Sequence, residues 1–272
     1  MSCVVVYMKI LMVRLCAGGW ERAELGTWTV LADAAARQLP FVSDVMHVYI
    51  DLCPTPVARN KAVQLARQHH CDVIVSIDAD TMPHRDFMTM ALQELHRNYP
   101  REGCKVVVSP YVCAGDDQRV QIFRWTTNND VQEPAADAIA RFAHVSRDEA
   151  AQLTGREEVA CAGTGAFAAH VAAFDFIKPP YFDYEYEPNT GRTKVVSTED
   201  VRAFRDLSLS GVKIVCLWDC WATHFKEIAL GKPSIQSPGV VADRMARLLT
   251  KKATSQPLPP EIDVDVPEQE VA

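Results

Sequence analysis

The stretch Cys71-Asp72-Val73-Ile74-Val75-Ser76-Ile77-Asp78-Ala79-Asp80-Thr81 decides the fold. From Val73 to Ile77 it is an almost continuous apolar, β-branched run, the pattern of a strand buried on both faces of a parallel sheet. The run stops at two carboxylates, Asp78 and Asp80, separated by one small residue. In an open α/β sheet, ligands bind in the crevice beyond the carboxyl ends of the strands. Two carboxylates delivered to that edge suit a hard divalent ion, Mg²⁺ or Mn²⁺, shared with a substrate's phosphates. The competing reading is a plain turn, since aspartate is common where strands end.

Outward from this strand the pattern alternates. On its N-terminal side, a first strand is expected within Val4–Val13, an Ala-rich helix over Thr29–Gln38, and a second strand over Val45–Ile50. A helix over Val57–His69 follows, with Ala58, Ala62, Leu65 and Ala66 on one face. On its C-terminal side, a helix over Arg85–His96 leads to a strand at Lys105–Ser109. The order β-α-β-α-β-α-β implies a mostly parallel sheet with right-handed crossovers. Further on, Arg119–Thr126 reads as a strand and Ala135–Leu153 as a helix. Gly163-Thr164-Gly165 opens a small-residue segment, Ala166–Ile177, that reads as helical. An aromatic, acidic loop, Tyr181–Tyr186, precedes a helix over Thr198–Ser210 closed by Gly211. Val212–Trp218 is the last clear strand, and Val240–Leu249 a short helix.

The chain has 272 residues, enough for one large α/β domain with an ample core. Hydrophobic content of 48% and charged content of 23% are those of an ordinary globular protein. Of the net charge of −7, five negative charges sit in 253–272, which carries no Lys or Arg, so the body is close to neutral. That tail, rich in proline and acid, is expected to be disordered. A body without a strong basic field does not argue for nucleic acid. Nine cysteines, without C-x-x-C pairs, fit buried apolar residues in a reducing compartment rather than a disulfide framework. The apolar run from Val4 to Leu15 is broken by Lys9 and Arg14 and is too short to span a bilayer, so a cytoplasmic location without a membrane span is expected.

Three features recur in order: the carboxylates Asp78 and Asp80, the triplet Thr198-Glu199-Asp200, and His224 beyond the last strand. With Ala58-Arg59-Asn60-Lys61-Ala62, Gly163-Thr164-Gly165-Ala166-Phe167 and Thr223-His224, the stretch Val45–Phe225 resembles the nucleotide-sugar glycosyltransferases of the GT-A fold, especially the inverting, family-2-like group. The resemblance implies a Rossmann-like, mostly parallel sheet flanked by helices. It implies one domain over residues 1–252, a nucleotide-binding part to about 113 and an acceptor part over about 114–235. It further implies a UDP- or GDP-sugar donor and a Mn²⁺ or Mg²⁺ ion held by Asp78, Asp80 and His224. Asp78 would alternatively bind the donor, with Arg59, Asn60, Gly163, Thr164 and Gly165. Asp200 would be the general base toward an acceptor hydroxyl, with Glu199 positioning the acceptor. Simpler readings stand beside these: Ser197 or Thr198 as an N-cap with two acids favoured by the helix dipole, and His224 as a strand-end residue.

Other outcomes belong to the same scaffold. A retaining glycosyltransferase would also carry the paired aspartates and a late histidine. The acceptor could be a carbohydrate, a small molecule or a modified base in DNA. A sugar nucleotidyltransferase would announce itself in a Gly-rich loop near the N-terminus, which Gly18-Gly19-Trp20-Glu21-Arg22 matches poorly. Arg124-Trp125 precedes the Thr-Glu-Asp triplet, the reverse of the order in processive synthases.

Overall fold

The computed structural model describes residues 7–16, 23–51, 53–113, 119–126, 142–188, 195–225 and 229–230. The chain divides into two units, Met1–Pro233 and Ser234–Ala272, and all the described residues lie in the first. The expected helix at Val240–Leu249 and the acidic tail lie outside them.

The first half of the chain runs β1 (Met8–Cys16), α1 (Ala23–Arg37), β2 (Val42–Asp51), α2 (Thr55–Gln68), β3 (Val73–Asp78), β4 (Thr81–Met82), α3 (Phe87–His96) and β5 (Lys105–Val108). Next come β6 (Ile122–Trp125), β7 (Phe142–His144), α4 (Arg147–Gln152), β8 (Arg156–Val159), β9 (Cys161–Ala162) and β10 (Ala166–His170), followed by a 3₁₀ turn at Val171–Phe176. The last elements are β11 (Glu185–Tyr186), β12 (Val195–Ser197), α5 (Glu199–Leu209), β13 (Lys213–Leu217), β14 (Thr223–Phe225) and β15 (Ala229–Leu230).

Seven strands form the central sheet in the order β2-β1-β3-β10-β5-β13-β8. Five of them share one direction, and only β10 and β8 run against it, so the sheet is mostly parallel and flanked by helices. Alternate residues along each strand feed opposite faces. Met8, Ile10, Met12, Val73, Val75 and Ile77 meet α1 and α3, while Leu11, Val13, Leu15 and Ile74 meet α2 and α5. None of the described helices is long and apolar enough to cross a membrane.

Two expectations are corrected. Ala166–His170 is a strand, not a helix, and all five of its residues are buried. It inserts antiparallel between β3 and β5, which the alternating pattern had placed side by side. Alanine favours helices in isolation, but a strand enclosed on both sides by helices accommodates small side chains, and packing overrides propensity. Of the expected helix Ala135–Leu153, residues 135–141 lie outside the described residues; among the described ones, Phe142–His144 are a strand paired with β6 and Arg147–Gln152 are helical, capped by the Ser146 side chain accepting from Glu149 N–H. The other elements appear with shifted ends, and Gly211 closes α5 at φ +87° as expected.

His170, at the end of β10, is almost fully enclosed; its Nδ1 accepts the Lys105 N–H at 2.9 Å and Tyr99 stacks on its ring. Burial and the nearby Lys105 ammonium push its pKa from 6.5 down to about 4. The native state thus binds fewer protons than the unfolded chain between those values, and the associated stability is present above pH 6.5 and lost as pH falls toward 4. His170→Gln, which keeps an acceptor and removes the titration, should gain on the wild type by up to about 3 kcal/mol between pH 7 and pH 4 in chemical denaturation.

Glycine positions give a second test. A Cβ on Gly163 would lie 2.1 Å from Tyr111 Oη and 2.8 Å from Cζ, whereas Gly26, inside α1, has nothing within 4 Å of that point. Gly163→Ala should cost about 1–3 kcal/mol by overpacking. Adding Tyr111→Phe should recover part of that loss. Gly26→Ala should instead raise the melting temperature, since alanine is favoured over glycine in a helix by up to about 1 kcal/mol.

Candidate functional site

β3 ends on Asp78, whose N–H donates to Gly165 O at 2.9 Å. The chain then turns through Asp80 into β4, whose pairing with β14 sets Thr81 opposite His224. Phe225 N–H donates to Asp80 O, tightening the same junction. The link between the D-x-D turn and His224, 144 residues apart, is therefore a strand pair.

His224 is buried, and its Nδ1 lies 3.3 Å from Val112 O, an acceptor only, so the proton belongs on Nδ1. Nε2, carrying the lone pair, then faces Asp80 Oδ2 at 3.4 Å. Tyr111 packs edge-on against the imidazole at 5.2 Å.

α2 contributes Arg59, only 4% exposed. Its Nη2 donates to Asp78 Oδ2 at 2.8 Å and its Nη1 to Glu199 Oε1 at 2.6 Å. A buried guanidinium is tolerable only with such partners, and here the carboxylates come from the end of β3 and the start of α5. Two buried atoms of the network, Arg59 Nε and Asp78 Oδ1, have no hydrogen-bond partner among the described residues. Burial pushes the Asp78 carboxyl up to about 6, with Arg59 opposing and the negative Asp80 and Asp200 adding to the rise. Glu199 is likewise raised by burial, with Arg59 opposing.

These groups enclose a cavity of about 350 Å³ at the carboxyl ends of β1 and β3. Arg59, Asp78, Asp80, Glu199 and His224 line its polar side; Leu15, Cys16, Ile50 and Ala58 form an apolar wall. Five of the residues singled out in the sequence thus meet at one place. Cys16 and Cys53 also line it and carried no signal in the sequence, being two of nine scattered cysteines.

The remaining candidates sit differently. Asp200 is not among the described lining residues, but its charge acts on Arg59, Asp78 and Tyr111. Its Oδ1 accepts the Val201 N–H at 2.8 Å, and Thr198, at the N-cap position, makes no side-chain cap bond. The space beside Gly163 is filled by Tyr111 and that beside Gly165 by Thr81 and Tyr111, so a Cβ at either position would crowd a neighbouring side chain. Thr164 is fully buried, and its Oγ1 has no partner among the described residues. Asn60 is bonded to the loop at Tyr181 and Phe182.

Among the described residues, no group of three or more His, Cys, Asp or Glu side chains is arranged around one point. The described residues that could hold a divalent ion are the pair Asp80 and His224.

No known protein-family profile matches the chain, and no curated protein matches its sequence. Among solved structures, A197 from STIV is similar with a TM-score of 0.51 at 18% identity, covering 82% of this chain and 90% of that one. CMP:2-keto-3-deoxy-manno-octonic acid synthetase complexed with CTP reaches 0.38 at 14% identity, over 89% and 99% of the two chains. UDP-glucose pyrophosphorylase complexed with UDP-glucose reaches 0.39 at 10% identity, again over 89% and 99%. The likeness to A197 is one of fold; the other two are weaker.

Proposed function

We propose that the chain is a divalent-cation-dependent glycosyltransferase that moves a sugar from a UDP- or GDP-sugar to an acceptor hydroxyl. The observation that carries this reading is the meeting of Arg59, Asp78, Asp80, Glu199 and His224 on one cavity at the carboxyl edge of the sheet. Three carboxylates against one arginine leave the cavity with surplus negative charge. A donor diphosphate, itself negative, enters such a cavity only with a cation.

Asp80 and His224 are the residues that would hold the Mn²⁺ or Mg²⁺ ion. When bound, it supplies neutralisation of the charge that develops on the departing diphosphate. Arg59 adds a fixed positive charge to the same cavity. The apolar wall of Leu15, Ile50 and Ala58 suits the nucleoside.

Asp200 is assigned as general base. Glu199, one residue earlier, is committed to Arg59 at 2.6 Å, whereas Asp200 has no ion pair among the described residues. The acceptor oxygen attacks the anomeric carbon, and the bond from that carbon to the β-phosphate oxygen breaks. The electron pair leaves with the nucleoside diphosphate, and the acceptor proton passes to Asp200. The loop Tyr181–Tyr186 borders this side, and the Glu199 charge, above all, raises the Tyr184 hydroxyl's pKa. An acceptor with a flat or ring-shaped face fits there.

Calorimetric titration tests the cation. UDP or GDP should bind wild-type protein with Mn²⁺ and lose most of that affinity in EDTA; Asp80→Asn should weaken binding at least about tenfold with Mn²⁺ and little without it. Equal affinity with and without Mn²⁺ would refute the ion's role.

Product analysis tests the chemistry. Asp200→Asn should lower turnover by roughly 10²–10⁴ while nucleotide binding stays intact. Glu199→Gln should affect turnover less but stability more, since it weakens a buried ion pair. An active Asp200→Asn would point to a retaining mechanism, and the anomeric configuration by NMR would decide independently. Release of pyrophosphate from a nucleoside triphosphate and a sugar phosphate would make the protein a nucleotidyltransferase instead.

A further inference from the structure

Asn60 follows Arg59 on α2 and is bonded to the loop at Tyr181 and Phe182. Its Nδ2 donates to Pro56 O at 2.8 Å and to Phe182 O at 2.7 Å. Its Oδ1 accepts the N–H groups of Tyr181 at 2.8 Å and Phe182 at 3.2 Å. A carboxamide has two N–H donors and two acceptor lone pairs, so all four are occupied and none is left for a ligand. Three of the four bonds hold two consecutive loop residues, 121 and 122 positions away.

That loop leads straight into the site. Phe182 is anchored in the core against Phe167 and Phe174, and its ring lies 6.0 Å from the Arg59 guanidinium carbon. Tyr184, two residues on, is the aromatic side chain that feels the Glu199 charge. Glu185 and Tyr186 form β11, which pairs with Ser197 and Val195 of β12 immediately before Glu199 and Asp200. Arg202 and Arg205 of α5 reach back to Asp183 and Glu185. The segment 181–186 is thus held at its start by Asn60 and at its end by the element carrying the acids.

We propose that Asn60 is a positioning residue: it fixes the loop 181–186 against β12 and α5, the elements that lead to and carry Glu199 and Asp200, and so sets the acceptor side of the site without touching the donor. This rests on the glycosyltransferase reading above. A side chain that places a reacting partner is worth up to about a hundredfold in rate when its loss shifts that partner by an ångström.

The test uses the full chain. In Asn60→Ala, amide hydrogen exchange over 181–186 should speed up at least about tenfold, the equivalent of one net hydrogen bond, with the β1 and β3 amides unchanged. UDP or GDP affinity with Mn²⁺ should stay within about threefold of wild type, while Arg59→Ala loses far more. Turnover of UDP- and GDP-sugars should fall roughly tenfold to a hundredfold in kcat with the donor KM unchanged. If Asn60→Ala does not fold, Asn60→Asp carries the test: it keeps both acceptors for Tyr181 and Phe182 but sets a carboxylate against Pro56 O and Phe182 O. Nucleotide affinity lost as in Arg59→Ala, with loop exchange unchanged, would make Asn60 a donor contact and overturn the proposal. A freed loop with unaltered turnover would overturn it equally. Failure of the glycosyltransferase reading shows separately, in wild-type protein that neither binds nor turns over nucleotides.

Discussion

The structure depends on one buried cation. Arg59 sits at 4% exposure with two carboxylates, one at the end of the central strand and one at the start of α5. Desolvating a guanidinium costs several kcal/mol unless its hydrogen bonds are matched, so the three elements that supply the charges must come together. Glu199 is 140 residues from Arg59 in the chain, so this contact joins the early βα units to the segment that returns late. The neighbouring Asn60 makes a second, uncharged tie from the same helix to the loop at Tyr181 and Phe182.

A second junction completes the cavity. β4 is only two residues long, yet its pairing with β14 carries His224 to Asp80. Tyr111 supports that junction: its ring packs against the imidazole and fills the space left by Gly163 and Gly165. Gly163 therefore serves the site indirectly, by admitting a tyrosine that packs against the histidine. Gly165 adds a direct contribution, since its carbonyl accepts the Asp78 N–H.

The electrostatics follow from this packing. Asp78, Asp80 and Glu199 share a confined space with Arg59, and burial raises the proton affinity of Asp78 and Glu199. Such a site is unsatisfied as it stands: Asp78 Oδ1 and Arg59 Nε are both buried without partners among the described residues.

The sequence by itself determined the parallel half of the fold and the placing of Asp78 and Asp80 at the end of its central strand. Val73–Asp78 reads as a doubly buried strand because its apolar run is short and rich in β-branched residues, and the D-x-D that ends such a strand lies at the carboxyl edge. Local order then places Arg59 at the start of the next helix inward, and Glu199 and Asp200 in a first turn. Only the tertiary structure decided the rest. Ala166–His170 reads as a helix locally and becomes the antiparallel strand between β3 and β5, because the space there is set by helices on both faces. Asn60 and Arg59 are adjacent letters with opposite duties, a division made by helix geometry, which points successive side chains about 100° apart. That Glu199 rather than Asp200 lines the cavity wall, and that Tyr111 fills the space beside Gly163, are likewise consequences of long-range packing, which residue type and order do not encode locally.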